Sequence, residues 1–224
     1  MTNFGFSKMR LRFTKIAIFL AAFIPLGRLA WKAFHDGLGA NPIEVITHST
    51  GDWTLIFVLT TLSITPLRRI TRQYWLIGVR RMIGLFAFFY GTLHFLTYIW
   101  LDKFFDVHEM LKDIAKRRFI TVGFSAFVLM IPLALTSTSW SIRRLGGKNW
   151  QRLHRLIYFT GILAVVHYTW LVKADLRKPI RYGIVLGILL AYRVGVWVFE
   201  KASERRKPPA IPVPARNRAE ATKA

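Results

Sequence analysis

Apolar stretches long enough to cross a lipid bilayer recur along the whole chain, separated by short segments rich in lysine and arginine. A hydrocarbon core about 30 Å thick is crossed by roughly 20 helical residues, and no water is present there to satisfy a loop or a sheet edge. Runs of this kind therefore restrict the chain to helices that pair their own backbone groups. Six are expected, over 14–33, 53–67, 82–101, 119–136, 153–172 and 182–198, with Pro66 in "SITPLRR" closing the second. The fold class this predicts is an all-α membrane protein, a bundle of six transmembrane helices. Basic residues precede the first apolar run as in a signal peptide, but "IPLGRLAW" has no small-residue cleavage site, so an uncleaved anchor is expected.

Charge then gives a direction. The chain is 53% hydrophobic yet carries a formal charge of +22. Nucleic-acid binding is the other common use of such basicity. Here the cations lie between apolar runs and no aromatic–basic binding module is visible, so no nucleic-acid partner is expected. Nearly two thirds of the lysines and arginines fall on the side of the two termini, while most acids (Asp36, Glu44, Asp52, Asp102, Asp106, Glu109, Asp113, Asp175) fall on the other. By the positive-inside rule both termini face the cytoplasm. The domain expectation is a cytoplasmic tail over 1–13, the helical domain over 14–200, and a basic, proline-rich, disordered tail over 201–224 that touches anionic lipid.

Six histidines remain to be explained, and depth sorts them. His35, His48 and His108 fall in or beside the acidic loops, where solvated or interfacial side chains are expected. His94, His154 and His167 fall within the third and fifth apolar runs, with no acid near them. An ionisable residue at membrane depth marks a functional site by default. His94 lies ~20 Å along its helix from Arg81, and His167 lies ~21 Å along its own from Leu153, at 1.5 Å per residue. The two helices run in the same direction, so these imidazoles are level. His154 is ~20 Å away from His167, at the opposite end of the helix.

Two level imidazoles on parallel helices suit the two axial positions of a haem iron, and a porphyrin is an apolar disc of a size that a helix bundle encloses. The chain has no cysteine, which excludes thiolate ligation, iron–sulfur clusters and covalent haem attachment, so any haem is held non-covalently, by histidine. Zinc does not account for the set, because ~20 Å separates two of the three histidines and no carboxylate joins them. On an ideal helix His154 and His167 would point about 140° apart. Either two cofactors approach from different sides, or the helix is distorted between them, with Gly161 the expected place.

"GDWTL" (51–55), "SITPLRR" (63–69), "RRMIGLFAFFYGTLH" (80–94) and "RRLGGKNWQRLHRLIYFTGILAVVHYTW" (143–170) resemble the MsrQ family, formerly YedZ, within the ferric reductase-like transmembrane superfamily. The likeness covers nearly the whole chain apart from its tails. MsrQ proteins are the haem-binding membrane subunits of a periplasmic methionine sulfoxide reductase system. The resemblance implies that His94 and His167 hold an outer haem b. It implies that His154 is what remains of an inner site, since Arg80 stands where the wider superfamily has the partner histidine. Another ligand, a flavin or quinone near Arg80 and Arg81, or no second haem are the alternatives there. The resemblance further implies electron transfer from the respiratory quinone pool to MsrP, a molybdopterin subunit that reduces methionine sulfoxide, at a bacterial inner membrane. The family is also linked to FMN, for which no residue is assigned.

Composition limits the role independently. Only about two dozen residues follow the last apolar run, too few for a flavin–nicotinamide domain, and no exterior loop is long enough for a substrate domain. Donor and acceptor are both expected from elsewhere, which describes a relay. A stand-alone ferric or metal reductase fed by a cytosolic flavin reductase, or a non-redox transporter or scaffold, are the rival expectations. Arg28 and Arg193 are costly in lipid unless partnered, by a haem propionate or a quinone head group, or able to snorkel. Trp53, Trp100, Trp140, Trp150 and Trp170 are expected in interfacial belts.

Overall fold

A computed structural model describes residues 3–172 and 174–205, and within them every regular element is helical. They are α1 (Asn3–Phe34), α2 (Pro42–Thr71), α3 (Leu76–Leu96), α4 (Val107–Lys116), α5 (Arg118–Leu135), α6 (Ser139–Leu145), α7 (Gly147–Leu153), α8 (Leu156–Leu171) and α9 (Arg177–Arg205), with α3 running into a wider π-type turn over Thr97–Asp102. The chain divides into two compact units, Met1–Leu190 and Ala191–Ala224. The described part of the second is the end of α9 alone, where Lys201 lies over the Trp197 ring.

Four described helical segments are long and apolar enough to cross a membrane: Leu11–Phe34, Leu76–Asp102, Arg118–Leu135 and Arg177–Ser203. Their exposed side chains carry the same message. Ile16, Leu20 and Ile24 on α1, and Ile180, Ile184 and Ile188 on α9, leave most of their surface uncovered, at spacings of about one turn. In water such stripes would be aggregation sites; against acyl chains they are the ordinary outer face. The protein is an all-α, multi-pass membrane protein.

Inside the first unit, α2 packs chiefly on α3, and α5 on α8. Leu55, Val58, Leu59 and Leu62 of α2 meet Val79, Ile83, Phe86 and Tyr90 of α3 in the main core, joined by Met130 of α5 and by Leu186 and Leu189 of α9. Tyr90 is 1% exposed and donates its hydroxyl hydrogen to Ala22 O at 2.7 Å, which fastens α1 to α3. A buried phenol needs such a partner. Phe57, Phe86 and Tyr90 stack at 5.3–5.8 Å beside it.

Several boundaries differ from the sequence expectation. Pro66 does not close the second helix: α2 continues through it to Thr71 and ends at Arg72 in the left-handed region (φ 57°). α2 also starts earlier than expected, at Pro42, because Asn41 caps it by accepting from Glu44 N and proline suits the first helical position. α1 is helical from Asn3, so part of the expected 1–13 tail is continuous with the first span. α9 likewise carries the chain to Arg205, and the rest of the expected disordered tail, 206–224, lies outside the described residues. The fifth apolar run is interrupted at its start. α7 ends at Leu153, His154 and Arg155 form a turn, and α8 begins at Leu156.

α4 links α3 to α5 at the end of the bundle nearest His94, and one buried carboxylate holds it. Asp113 (6% exposed) receives Lys103 Nζ at 2.6 Å and Arg117 Nε at 3.1 Å. Burial pushes the Asp113 carboxyl up, but the contact with Lys103 and the charge of Arg117 outweigh it and leave the group below the usual carboxylate range. Asp113→Asn is expected to destabilise the protein by about 3 kcal/mol, the scale of a broken buried pair, read by thermal unfolding in detergent. Because the folded value is the lower one, the carboxylate's contribution is complete above the unfolded value of 3.8 and is lost as pH falls further. The deficit of the variant should therefore shrink in acid.

Candidate functional site

A cavity of about 870 Å³ opens among α2, α3, α5 and α8. Its deep wall is apolar, from Leu55, Val58, Phe127, Met130 and Ala164, whereas its mouth is polar, from Glu44, His48, Asp52, Asp102, Arg117 and Asp175. His94 and His167 line it from α3 and α8, with ring centroids 6.1 Å apart and planes inclined at 76°.

Each of these rings is held the same way. The Nδ1 of His94 lies 2.9 Å from Thr47 O on α2, and the Nδ1 of His167 lies 2.7 Å from Phe119 O on α5. A carbonyl has no hydrogen to give, so both Nδ1 atoms are N–H donors and Nε2 keeps the lone pair in the neutral ring. Outer hydrogen bonds of this kind are what orient metal-binding imidazoles. The His94 end is braced further: Thr97 Oγ1 donates to His94 O at 2.7 Å, and Thr47 Oγ1 donates to Thr97 Oγ1 at 3.3 Å.

Both rings also lie against glycines. A Cβ at Gly51 would meet His94 Cε1 at 3.1 Å and Nδ1 at 3.2 Å; one at Gly123 would meet His167 Nδ1 at 2.5 Å and Cε1 at 2.7 Å. Sequence reasoning missed Gly51, Gly123, Thr47 and Phe119. "GDWTL" was prominent as a motif, but nothing in it says that an imidazole from another helix rests on its glycine.

The spacing fits an iron with two axial imidazoles. Two metal–nitrogen bonds of about 2 Å, each extended by roughly 1 Å to the ring centre, put the centroids about 6 Å apart. A neutral Nε2 on each ring, an apolar interior and a volume within the roughly 300–1,000 Å³ of ligand pockets complete the match to a porphyrin. Arg117 lines the mouth, a cation that the sequence reading attributed only to the loops.

His154 is arranged differently. Its Nε2 lies 3.0 Å from Thr136 Oγ1, and that hydroxyl spends its one hydrogen on Pro132 O at 2.6 Å. The hydroxyl must accept, so His154 carries its proton on Nε2, the reverse of the other two. Trp150 stacks on the ring at 3.8 Å and donates to Thr136 O at 2.9 Å. Trp150 is thus packed at a helix junction in addition to standing at a span end. Arg80 donates to Thr65 Oγ1 at 3.4 Å, tying α3 to α2, and bears electrostatically on His154. The expected distortion at Gly161 is not observed: α8 is continuous there and Gly161 is buried beside Leu186. The break falls at His154 itself, so the ideal-helix angle between His154 and His167 does not apply.

Of the remaining expectations, Arg28 is exposed on α1, consistent with snorkelling. Arg193 is partly buried on α9 within the second unit. His35 stacks on Trp31 and is exposed, while His48 lines the cavity mouth, 3.7 Å from Glu44.

Comparison with known proteins agrees with this architecture. The family described as "Ferric reductase like transmembrane component" matches residues 48–165, which include His94 and His154 and end two residues before His167. Relatives named protein-methionine-sulfoxide reductase heme-binding subunit MsrQ align over most of their length. That of Herminiimonas arsenicoxydans is 55% identical over 91% of this chain and 94% of its own. Those of Ralstonia nicotianae (53%; 87% and 90%) and Rhodospirillum rubrum (47%; 92% and 99%) follow the same pattern. The chain belongs to the MsrQ family. No solved structure matches it.

Membership of that family focuses attention on the histidine tautomers, because they decide which nitrogens are available. In haem-free protein carrying ¹⁵N-labelled histidine, NMR should find Nδ1–H rings at His94 and His167 and an Nε2–H ring at His154. The same tautomer at all three would contradict the hydrogen bonding described above.

Proposed function

We propose that the chain is the haem b electron-transfer subunit of a methionine sulfoxide reductase system, in which His94 and His167 would hold the haem in the four-helix cavity. The observation that carries this reading is the pair of level imidazoles, 6.1 Å apart, each with Nδ1–H committed to a backbone carbonyl and Nε2 left for a metal. The name of its relatives, heme-binding subunit, points the same way. A haem held here would supply a one-electron couple.

The chain's own residues do the rest. Thr47 and Phe119 fix the ring orientations, while Leu55, Val58, Phe127 and Met130 exclude water. Arg117, at the mouth, is placed to pair a propionate. His154 is the histidine available to a second haem, and binding there requires its Nε2–H to leave Thr136. Arg80 sits between that region and α2, where a quinone or the FMN linked to the family would meet a cation.

The fuller reading has six crossings, α2 and α8 joining the four long apolar segments, with both termini cytoplasmic at a bacterial inner membrane. The cavity mouth then faces the periplasm. Electrons come from the quinone pool, and the acceptor is an MsrP-type molybdopterin subunit. A ferric reductase fed by a cytosolic flavin reductase differs in both donor and acceptor, which makes it separable.

Haem stoichiometry and optical spectra of the purified protein and three variants test the proposal. His94→Ala and His167→Ala should each abolish the low-spin haem of the cavity, whereas His154→Ala should retain it. Wild-type protein with no Soret band, or equal and complete loss in all three variants, would overturn the assignment. Quinol-driven reduction that passes to chelated iron but not to the molybdopterin partner would favour the ferric reductase.

A further inference from the structure

The two histidine seats share a feature that neither helix reveals alone. Thr47 and Gly51 stand four residues apart on α2; Phe119 and Gly123 stand four apart on α5. In an α-helix a side chain covers the surface over the turn N-terminal to its own Cα. A residue at position n therefore shields the carbonyl of n−4, and glycine leaves that carbonyl open to a donor from another helix. Here the donor at each seat is an imidazole Nδ1–H, from His94 and from His167.

We propose that Gly51 and Gly123 are positioning residues for the two imidazoles: each opens the carbonyl one turn earlier, so that a ring from another helix presses against the helix backbone and presents Nε2 at a fixed height. This rests on reading the cavity as a haem site. The seats are unequal. The Cβ of an alanine at 123 would fall 2.5 Å from Nδ1, 2.7 Å from Cε1 and 3.0 Å from Cγ of His167, so the ring must leave its place. At 51 the nearest approaches are 3.1 and 3.2 Å, which a shift of a few tenths of an ångström relieves. The hydrogen bonds follow the same order, 2.7 Å at His167 and 2.9 Å at His94. His167 is the fixed ligand and His94 the compliant one.

Gly183 provides the control. It lies on α9 outside the cavity lining, and an added Cβ would meet Val165 Cγ1 at an ordinary distance of 3.5 Å. Gly51→Ala, Gly183→Ala and Gly123→Ala would be purified as full-length chains and compared by haem content, electron paramagnetic resonance and midpoint potential. Gly123→Ala should lose the low-spin ferric signal, with haem affinity down roughly 10–100-fold. Gly51→Ala should keep its haem with a shifted low-spin signal. Its potential should be more positive, because a weaker bond to Nδ1–H makes the ring a poorer donor to ferric iron. Gly183→Ala should match wild type. A wild-type spectrum and potential in Gly123→Ala would overturn the proposal.

If Gly123→Ala does not accumulate, the double variant Gly123→Ala/His167→Ala decides. It should accumulate to the level of His167→Ala alone, because the ring that the alanine meets has gone. Failure of the double variant to do so would overturn the proposal equally. This comparison reads protein amount without haem, so it stands even if wild-type protein has no bis-histidine spectrum, a result that would instead overturn the haem reading.

Discussion

Two hydrogen bonds, from the Nδ1–H groups of His94 and His167 to helix carbonyls, are the interaction on which the functional centre depends. Each joins a histidine on one helix to the backbone of another, and each settles which ring nitrogen keeps its lone pair. Without them an imidazole in an apolar bundle would be an unsatisfied polar group, at a cost of about 1–3 kcal/mol. With them the ring is anchored to helix backbone. A backbone carbonyl cannot change rotamer, so the distance between the two rings is governed by how α2, α3, α5 and α8 pack.

The helix pairing supports that geometry. α2 with α3, and α5 with α8, are the closely packed pairs. His94 of α3 bonds to α2, its own pair partner, and His167 of α8 bonds to α5, its own partner. The cavity lies between the pairs, so each histidine belongs to a closely packed two-helix unit and faces the gap between them. The other end is built for a different purpose. There the α7–α8 turn, Trp150, Thr136 and His154 form a closed hydrogen-bonded junction, and Arg80 crosses from α3 to Thr65. One chain thus carries two histidine environments with opposite tautomers.

How much of this was legible beforehand differs from residue to residue. That His94 and His167 lie level was readable, because rise per residue is constant and both runs start from the same side. Arg117 was not: its position among five cations of a loop gave no sign that it would line a cavity. Pro66 misled, since the rule that proline ends helices holds in water, and within a bundle neighbouring groups compensate a missing N–H. Gly161 misled for a related reason. A glycine in a helix is as useful for close packing as for bending, and here Leu186 occupies the space.

Composition and periodicity, by themselves, determined that the chain is helical, apolar on its outside and equipped with histidines at membrane depth. These properties follow from the solvent each residue must face, and solvent preference is written in the residue type. Tertiary structure alone decided that Gly51 and Gly123 open a carbonyl to a ring, that His154 donates its Nε2–H to the Thr136 hydroxyl, and that the fifth run breaks at His154. Each depends on which side chain from another helix arrives at a given height. That is fixed by the summed packing of whole helices, and no local stretch of sequence encodes it.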